Sequence, residues 1–232
     1  MNIVTIIPAR KGSKSIPLKN IQLLNKKPLV SYSILYSQKC PLISHTVVST
    51  DSHRIAKVAR EFNAEIPFLR PDEIAQDETQ DFPVIRHALE RLENIYMTNI
   101  DAIVWLRPTS PLRPKKLIER AVDILKSNPD CTSVRSVVKS SEHPYRQWLL
   151  SDGLIKGVID RDVAYESYNL PRQKLPDVYF QSGDIEVIRR ETILGGSISG
   201  DTVMPLIIKQ SEMLDIDHFD DLKKAENKNL NE

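Results

Sequence analysis

Thirteen consecutive residues, Pro8 to Asn20, concentrate the chemistry most visible in this chain. They hold four cations (Arg10, Lys11, Lys14 and Lys19), one glycine, two serines and no acid. They follow Ile3-Val4-Thr5-Ile6-Ile7, an apolar run that reads as a buried strand. A cationic loop at the carboxyl end of a strand suits a strongly anionic ligand, because backbone N–H groups and cations together offset its charge. A triphosphate is the natural candidate, and a solvated basic turn is the plain alternative. The loop has neither the P-loop pattern nor the glycine-rich dinucleotide fingerprint, so side-chain cations must contribute more than glycine backbone.

Two further segments have the residue types to share such a ligand. Leu106 to Pro114 carries Arg107 and Arg113 among three prolines, a stiff loop after another apolar run. In open α/β sheets ligands lie in the crevice above the carboxyl ends of strands, so both loops can line one site. Arg107 stands nearer that crevice; Arg113 reads equally well as a salt bridge at a helix start. Leu214-Asp215-Ile216-Asp217-His218 places two carboxylates on one side of an extended segment. Paired carboxylates repel unless a cation joins them, and Mg²⁺ is the natural one near phosphates. The alternative is that Asp217 only caps the last helix. Arg70-Pro71-Asp72 and Gln76 to Asp81 either line a base pocket or form a polar connection.

The elements that must position these residues alternate. Strands are expected at Ile3–Ile7, His45–Ser49, Ala102–Leu106, Thr132–Val138, Val178–Ile188 and Thr202–Ile208. Helices are expected from Leu29 to Lys39, from a cap at Asp51 or Ser52 to Phe62, from Phe82 to Ile95, from Pro114 to about Leu125, and from about His218 to Asn227. Such alternation predicts an α/β, doubly wound, mostly parallel sheet. Lys139 to about Pro176 breaks the pattern and reads as an irregular arm, so residues 1–232 form a single domain with an arm at about 139–177. The last residues, Asn227 to Glu232, read as a frayed end.

Bulk composition bounds the rest. The chain has 232 residues, 41% of them hydrophobic, and a net charge of +1, which gives no global case for nucleic acid or a membrane surface. Two distant cysteines, Cys40 and Cys131, argue against a disulfide framework. No signal peptide or membrane span is read from the chain, so a cytoplasmic location is expected.

Taken in order, IIPARKGSKSIPLKN (Ile6 to Asn20), VVSTDSHRIA (Val47 to Ala56), FLRPDEIAQDET (Phe68 to Thr79), RPTSPLR (Arg107 to Arg113), LPRQKLP (Leu170 to Pro176) and DIDHFDDL (Asp215 to Leu222) resemble the N-acylneuraminate cytidylyltransferases and their relatives that activate other ulosonic acids. The resemblance implies a Rossmann-like nucleotidyltransferase sheet whose arm makes a homodimer. It implies CTP and an acidic keto sugar as substrates, with Arg10, Ser13, Lys14, Lys19 and Asn20 near phosphates and ribose. It places Arg70, Thr79 and Gln80 near the cytosine, and Mg²⁺ on Asp215 and Asp217. Arg172 matches an arm residue that reaches the partner's site, and Arg146 stands where relatives often carry Lys. Lys14, Lys19, Asp215 and Asp217 would then carry catalysis.

There are departures. Ser15 replaces a usual Gly, and Arg107 stands where the sialic acid enzymes have Gln. In Phe180 to Ile188, Ser182, Asp184 and Glu186 replace Asn, a small residue and Tyr at positions that, with Gln181, face the sugar in the family. They point to a differently decorated sugar, or pair with Arg107 and only reshape the pocket. A nucleotidyltransferase for sugar 1-phosphates and a silent nucleotide-binding relative, serving as subunit or sensor, are the competing readings.

Overall fold

The structure, a computed structural model, describes residues 1–159 and 166–227. Among the described residues there are ten strands and six α-helices: β1 (Ile3–Pro8), β2 (Leu23–Leu24), β3 (Lys27–Pro28), α1 (Leu29–Gln38), β4 (His45–Ser49), α2 (His53–Glu61), α3 (Asp81–Tyr96), β5 (Ala102–Trp105), α4 (Leu117–Ser127), β6 (Ser133–Lys139), β7 (Trp148–Ser151), β8 (Leu154–Gly157), β9 (Tyr179–Arg189), α5 (Arg190–Leu194), β10 (Val203–Ile207) and α6 (Phe219–Asn227). The short helix α5 was not legible as a separate element. The expected frayed end from Lys228 onward lies outside the described residues.

Six strands form one sheet in the order β10-β6-β9-β5-β1-β4. The pairs β1·β4, β1·β5 and β10·β6 are parallel, and β9 runs antiparallel to both β5 and β6. The expected doubly wound, mostly parallel sheet is present, with one reversed strand in its middle. Alternate residues feed two cores. Ile3, Ile7, Ala102 and Val104 pack with α1, α2 and α4, whereas Val4, Ile6, Ile103 and Trp105 pack with α3 and α5. Burial on both faces is why these short strands are apolar at nearly every position.

Local chemistry sets the element ends. Ser52 caps α2 by accepting a hydrogen bond from the Ile55 amide (3.3 Å). The helix expected from Pro114 begins instead at Leu117. Tyr36 Oη, on α1, donates to the Pro114 carbonyl and accepts from the Leu117 amide (2.8 Å), so a tyrosine from a neighbouring helix caps this one. The ladder between β6 and β9 shifts register between Arg135 and Val137, where Gly183 takes φ +76°. The Ser136 hydroxyl fills that gap, accepting from the Ile185 amide (3.1 Å) and from Ser182 Oγ (2.8 Å).

The arm contains a regular element that its composition concealed. β7 and β8 form an antiparallel hairpin around Asp152 and Gly153, both at positive φ as a tight hairpin turn requires. Leu149, Leu150, Leu154 and Ile155 on this hairpin are all exposed. The arm leaves from the end of β6 and returns into the start of β9, where Lys139 pairs with Tyr179.

Candidate active site

The amino-terminal loop and the carboxyl-terminal aspartates meet through an apolar anchor. Ile16 of the loop and Ile216 between the two aspartates are both fully buried in one small cluster with Leu24, Leu29, Leu222 and Ala225. The Ile216 amide also donates to the Thr109 carbonyl (2.9 Å), which fixes the segment to the second basic loop. Lys19 Nζ lies 3.1 Å from Asp217 Oδ1 and donates to the Ile216 carbonyl at 3.0 Å. One 390 Å³ cleft is lined by Arg10, Ser13, Lys14, Lys19, Asn20, Arg70, Thr79, Asp81, Arg107 and Thr109, among others.

The loop itself is held from beneath. Asn20 is buried and donates to the Arg10 carbonyl (2.9 Å), closing the loop on itself. Leu18 takes the left-handed conformation (φ 51°), whereas Ser15, at the usual Gly position, needs no positive φ. Asp77 pairs with both Arg10 and Lys14, the latter at 3.5 Å. Hydrogen bonding from Arg10 holds the Asp77 carboxyl below the usual carboxylate range.

Arg70 is buried, and its guanidinium donates to Ser49 Oγ (3.1 Å) and to the Ser49 carbonyl (2.6 Å). Burial pushes its pKa down to about 10. Thr79 Oγ1 accepts from the Gln76 amide (3.0 Å) and lines the cleft; Gln80 lines a shallow groove beside it, with Gly196 and Ser197.

At the Arg107 end of the cleft a charge network fills the space. Arg107 donates to Glu186 Oε1 (2.6 Å) and pairs with Asp81. Burial works against the Arg107 charge, but Glu186 and Asp81 outweigh it and hold its proton more tightly. Arg135 joins from β6, 3.1 Å from Glu186 Oε2, and donates to Gln181 Oε1 (2.8 Å). Sequence reasoning missed Arg135; its signal was an arginine inside an otherwise apolar and small strand. Asp184 is fully buried, and burial pushes its carboxyl up to about 6. Ser182 lies near it but gives its hydroxyl to Ser136, so both Asp184 carboxylate oxygens lack a hydrogen-bond partner.

Arg146 and Arg172 sit together in a separate pocket at the base of the arm, with His143. Arg146 donates to the Leu170 carbonyl (2.7 Å) and Arg172 to the Ser140 carbonyl (3.1 Å). Within one chain they do not line the nucleotide-sized cleft.

The family profile described as cytidylyltransferase matches residues 4–169. The chain belongs to the cytidylyltransferase family. Among curated proteins, it is 30% identical over 227 residues to the post-translational flagellin modification protein B of Campylobacter coli, covering 97% of this chain and 93% of that one. It is 34% identical to the CMP-N,N'-diacetyllegionaminic acid synthase of Legionella pneumophila, covering 94% and 91%. Among solved structures, a CMP:2-keto-3-deoxy-manno-octonic acid synthetase complexed with CTP shares the fold, with TM-score 0.72 at 14% identity and 97% of both chains covered.

For a cytidylyltransferase the donor set near the cleft fits a hard cation. Burial pushes the Asp215 carboxyl up, and the neighbouring charge of Asp217 adds to the shift. A positive charge between the two relieves both effects. Among the described residues no cluster of three or more His, Cys, Asp or Glu could cage a metal. Two carboxylates suit Mg²⁺, which takes phosphate oxygens and water as its remaining ligands. Among the described residues, no helix is long and apolar enough to cross a membrane.

Proposed function

We propose that this chain transfers CMP from CTP to the anomeric hydroxyl of a sialic-acid-like ulosonic acid. The carrying observation is that Arg10, Lys14 and Lys19 stand in one cleft whose rim meets the Asp215–Asp217 segment. The anomeric hydroxyl attacks the α-phosphorus in line, giving up its proton to water as the new P–O bond forms, and the bond to the β-phosphate breaks to release pyrophosphate. Arg10, Ser13, Lys14 and Lys19 neutralise phosphate charge, and Asn20 keeps the loop in shape. Arg70 and Thr79 line the cytosine end, with Gln80 beside it. Mg²⁺ on Asp215 and Asp217 would supply fixed positive charge at the α-phosphate and acidify the attacking hydroxyl.

The sugar side points to an ulosonic acid bearing N–H groups. Glu186, Asp81 and Gln181 offer oxygen acceptors, and the Arg107 and Arg135 forks suit a carboxylate. The Legionella relative is named for a diacylamino sugar of this kind. Ser182 and Asp184 support that wall from behind. The exposed apolar β7–β8 hairpin supports a homodimer, in which Arg146 and Arg172 of the arm would complete the partner's site.

A panel of ulosonic acids with CTP, Mg²⁺ and pyrophosphate detection tests the reading. CTP-dependent release with a diacylamino nine-carbon acid is expected. Silence across the panel despite tight CTP binding would favour a nucleotide sensor, and release with UTP and a sugar 1-phosphate would name a different transferase.

A further inference from the structure

Arg113 closes the second basic loop, and its side chain turns away from the cleft. Nε donates to the Asp184 carbonyl (2.6 Å), Nη2 to the Arg107 carbonyl (2.6 Å) and Nη1 to Ser33 Oγ (3.0 Å). Ser33 Oγ in turn donates to the Arg107 carbonyl (3.1 Å). The guanidinium lies over the Tyr36 ring, 5.8 Å from its centroid. Enclosure by protein pushes its pKa down to about 10. It is therefore not a surface salt bridge at a helix start.

The acceptors explain why an arginine stands here. β5 pairs with β9 only as far as Trp105 opposite Glu186. Beyond that point β9 has lost its neighbour on this side, and Arg113 satisfies the carbonyl of Asp184. The same fork holds the backbone of Arg107, whose side chain grips Glu186. Thr109, two residues on, accepts from the amide of Ile216, the residue next to Asp215. One planar group thus joins the loop after β5, the acid-bearing strand and α1. A lysine has no fork with which to span three acceptors.

We propose that Arg113 is a positioning residue for the transfer reaction, setting where Arg107 and, through Thr109, Asp215 stand relative to the nucleotide. This rests on the cytidylyltransferase reading above. The Arg10 to Lys14 cradle makes none of these bonds, so nucleotide affinity and turnover should separate.

The test compares full-length wild type with Arg113→Lys, Arg113→Gln, Ser33→Ala and the core variant Leu125→Ala. Turnover, KM for CTP and for the accepted sugar acid, calorimetric Kd for CTP and Tm are measured for each. Arg113→Lys should keep its CTP Kd within about threefold, lose at least about 30-fold in kcat and raise KM for the acid. Ser33→Ala should show the same pattern more weakly, at about 3- to 10-fold. Leu125→Ala should lower Tm and leave kcat and KM unchanged, which is the behaviour of a merely structural site. Arg113→Lys with a lowered Tm but wild-type kcat and KM values would overturn the proposal. So would a CTP Kd that weakens as much as kcat falls. A wild type silent with every acid removes the functional reading itself, and the inference with it.

Discussion

Lys19 and Asp217 lie 198 positions apart in sequence, and their charged ends approach to 3.1 Å. The lysine is mostly covered, with 13% of its side chain exposed, whereas the aspartate keeps 64%. Asp217→Asn should lower kcat at least about 100-fold, or about 2.7 kcal/mol of transition-state stabilisation. Lys19→Met should cost a similar factor, and the double variant less than the product of the two, because both act on one phosphate group. Steady-state kinetics at saturating CTP decides it. Near-normal turnover in Asp217→Asn would remove the metal from the proposed reaction.

Asp77 occupies two of the loop cations assigned above to the proposed triphosphate. Arg10 and Lys14 cannot face both Asp77 and phosphate oxygens at full strength. Solvent screens an exposed ion pair of this kind, so its loss costs the loop little. Asp77→Asn should therefore bind pyrophosphate and CTP about 3- to 10-fold more tightly, and CMP little differently, by calorimetry. Weaker pyrophosphate binding would show that Asp77 instead holds the cations in place.

The hairpin tests the assembly. Leu150 and Leu154 are 78% and 75% exposed on adjacent strands. A surface this apolar fits the second copy proposed above as its cover. Leu150→Asp should convert a dimer to a monomer in light scattering and reduce turnover if the arm completes the partner's site. A monomeric wild type would end the dimer proposal.

Asp184 makes stability depend on pH in a defined direction. Its carboxyl titrates at about 6 in the folded chain, against about 3.9 when unfolded. The native state therefore holds the proton more tightly, and this contribution is full below the unfolded value and lost as pH rises through 6. The loss has an upper bound of about 3 kcal/mol. In metal-free buffer, Asp184→Asn should raise Tm relative to wild type at pH 7.5 and narrow that gap at pH 4.5. An equal gap at both values would show that Arg113 neutralises the carboxylate fully.

Much of the frame was written locally. Ile3 to Ile7 is apolar on both faces because two helix layers cover it, and Ser52 stands where the α2 amides need an acceptor. The basic loops were legible as loops at strand ends, and they do line one cleft. The direction of β9 was not, since an extended apolar strand has the same alternation read either way. Nor was the α4 start, which depends on a tyrosine from another helix. The β7–β8 hairpin was not legible either, because its Asp-Gly turn at residues 152–153 lies among prolines and polar residues that read as an irregular arm. Arg113 was ambiguous because two of its partners are backbone carbonyls, which no residue type reveals.

The reversal of β9 has a consequence for how this scaffold diversifies. β6 departs and β9 arrives at the same rim of the sheet, so the connection between them needs no crossover and obeys no length requirement. Chain can be added or trimmed there without repairing any other strand pairing. Whatever is inserted emerges at the sheet edge that also carries the two basic loops, so the surroundings of the cleft can change while the strands beneath it stay as they are.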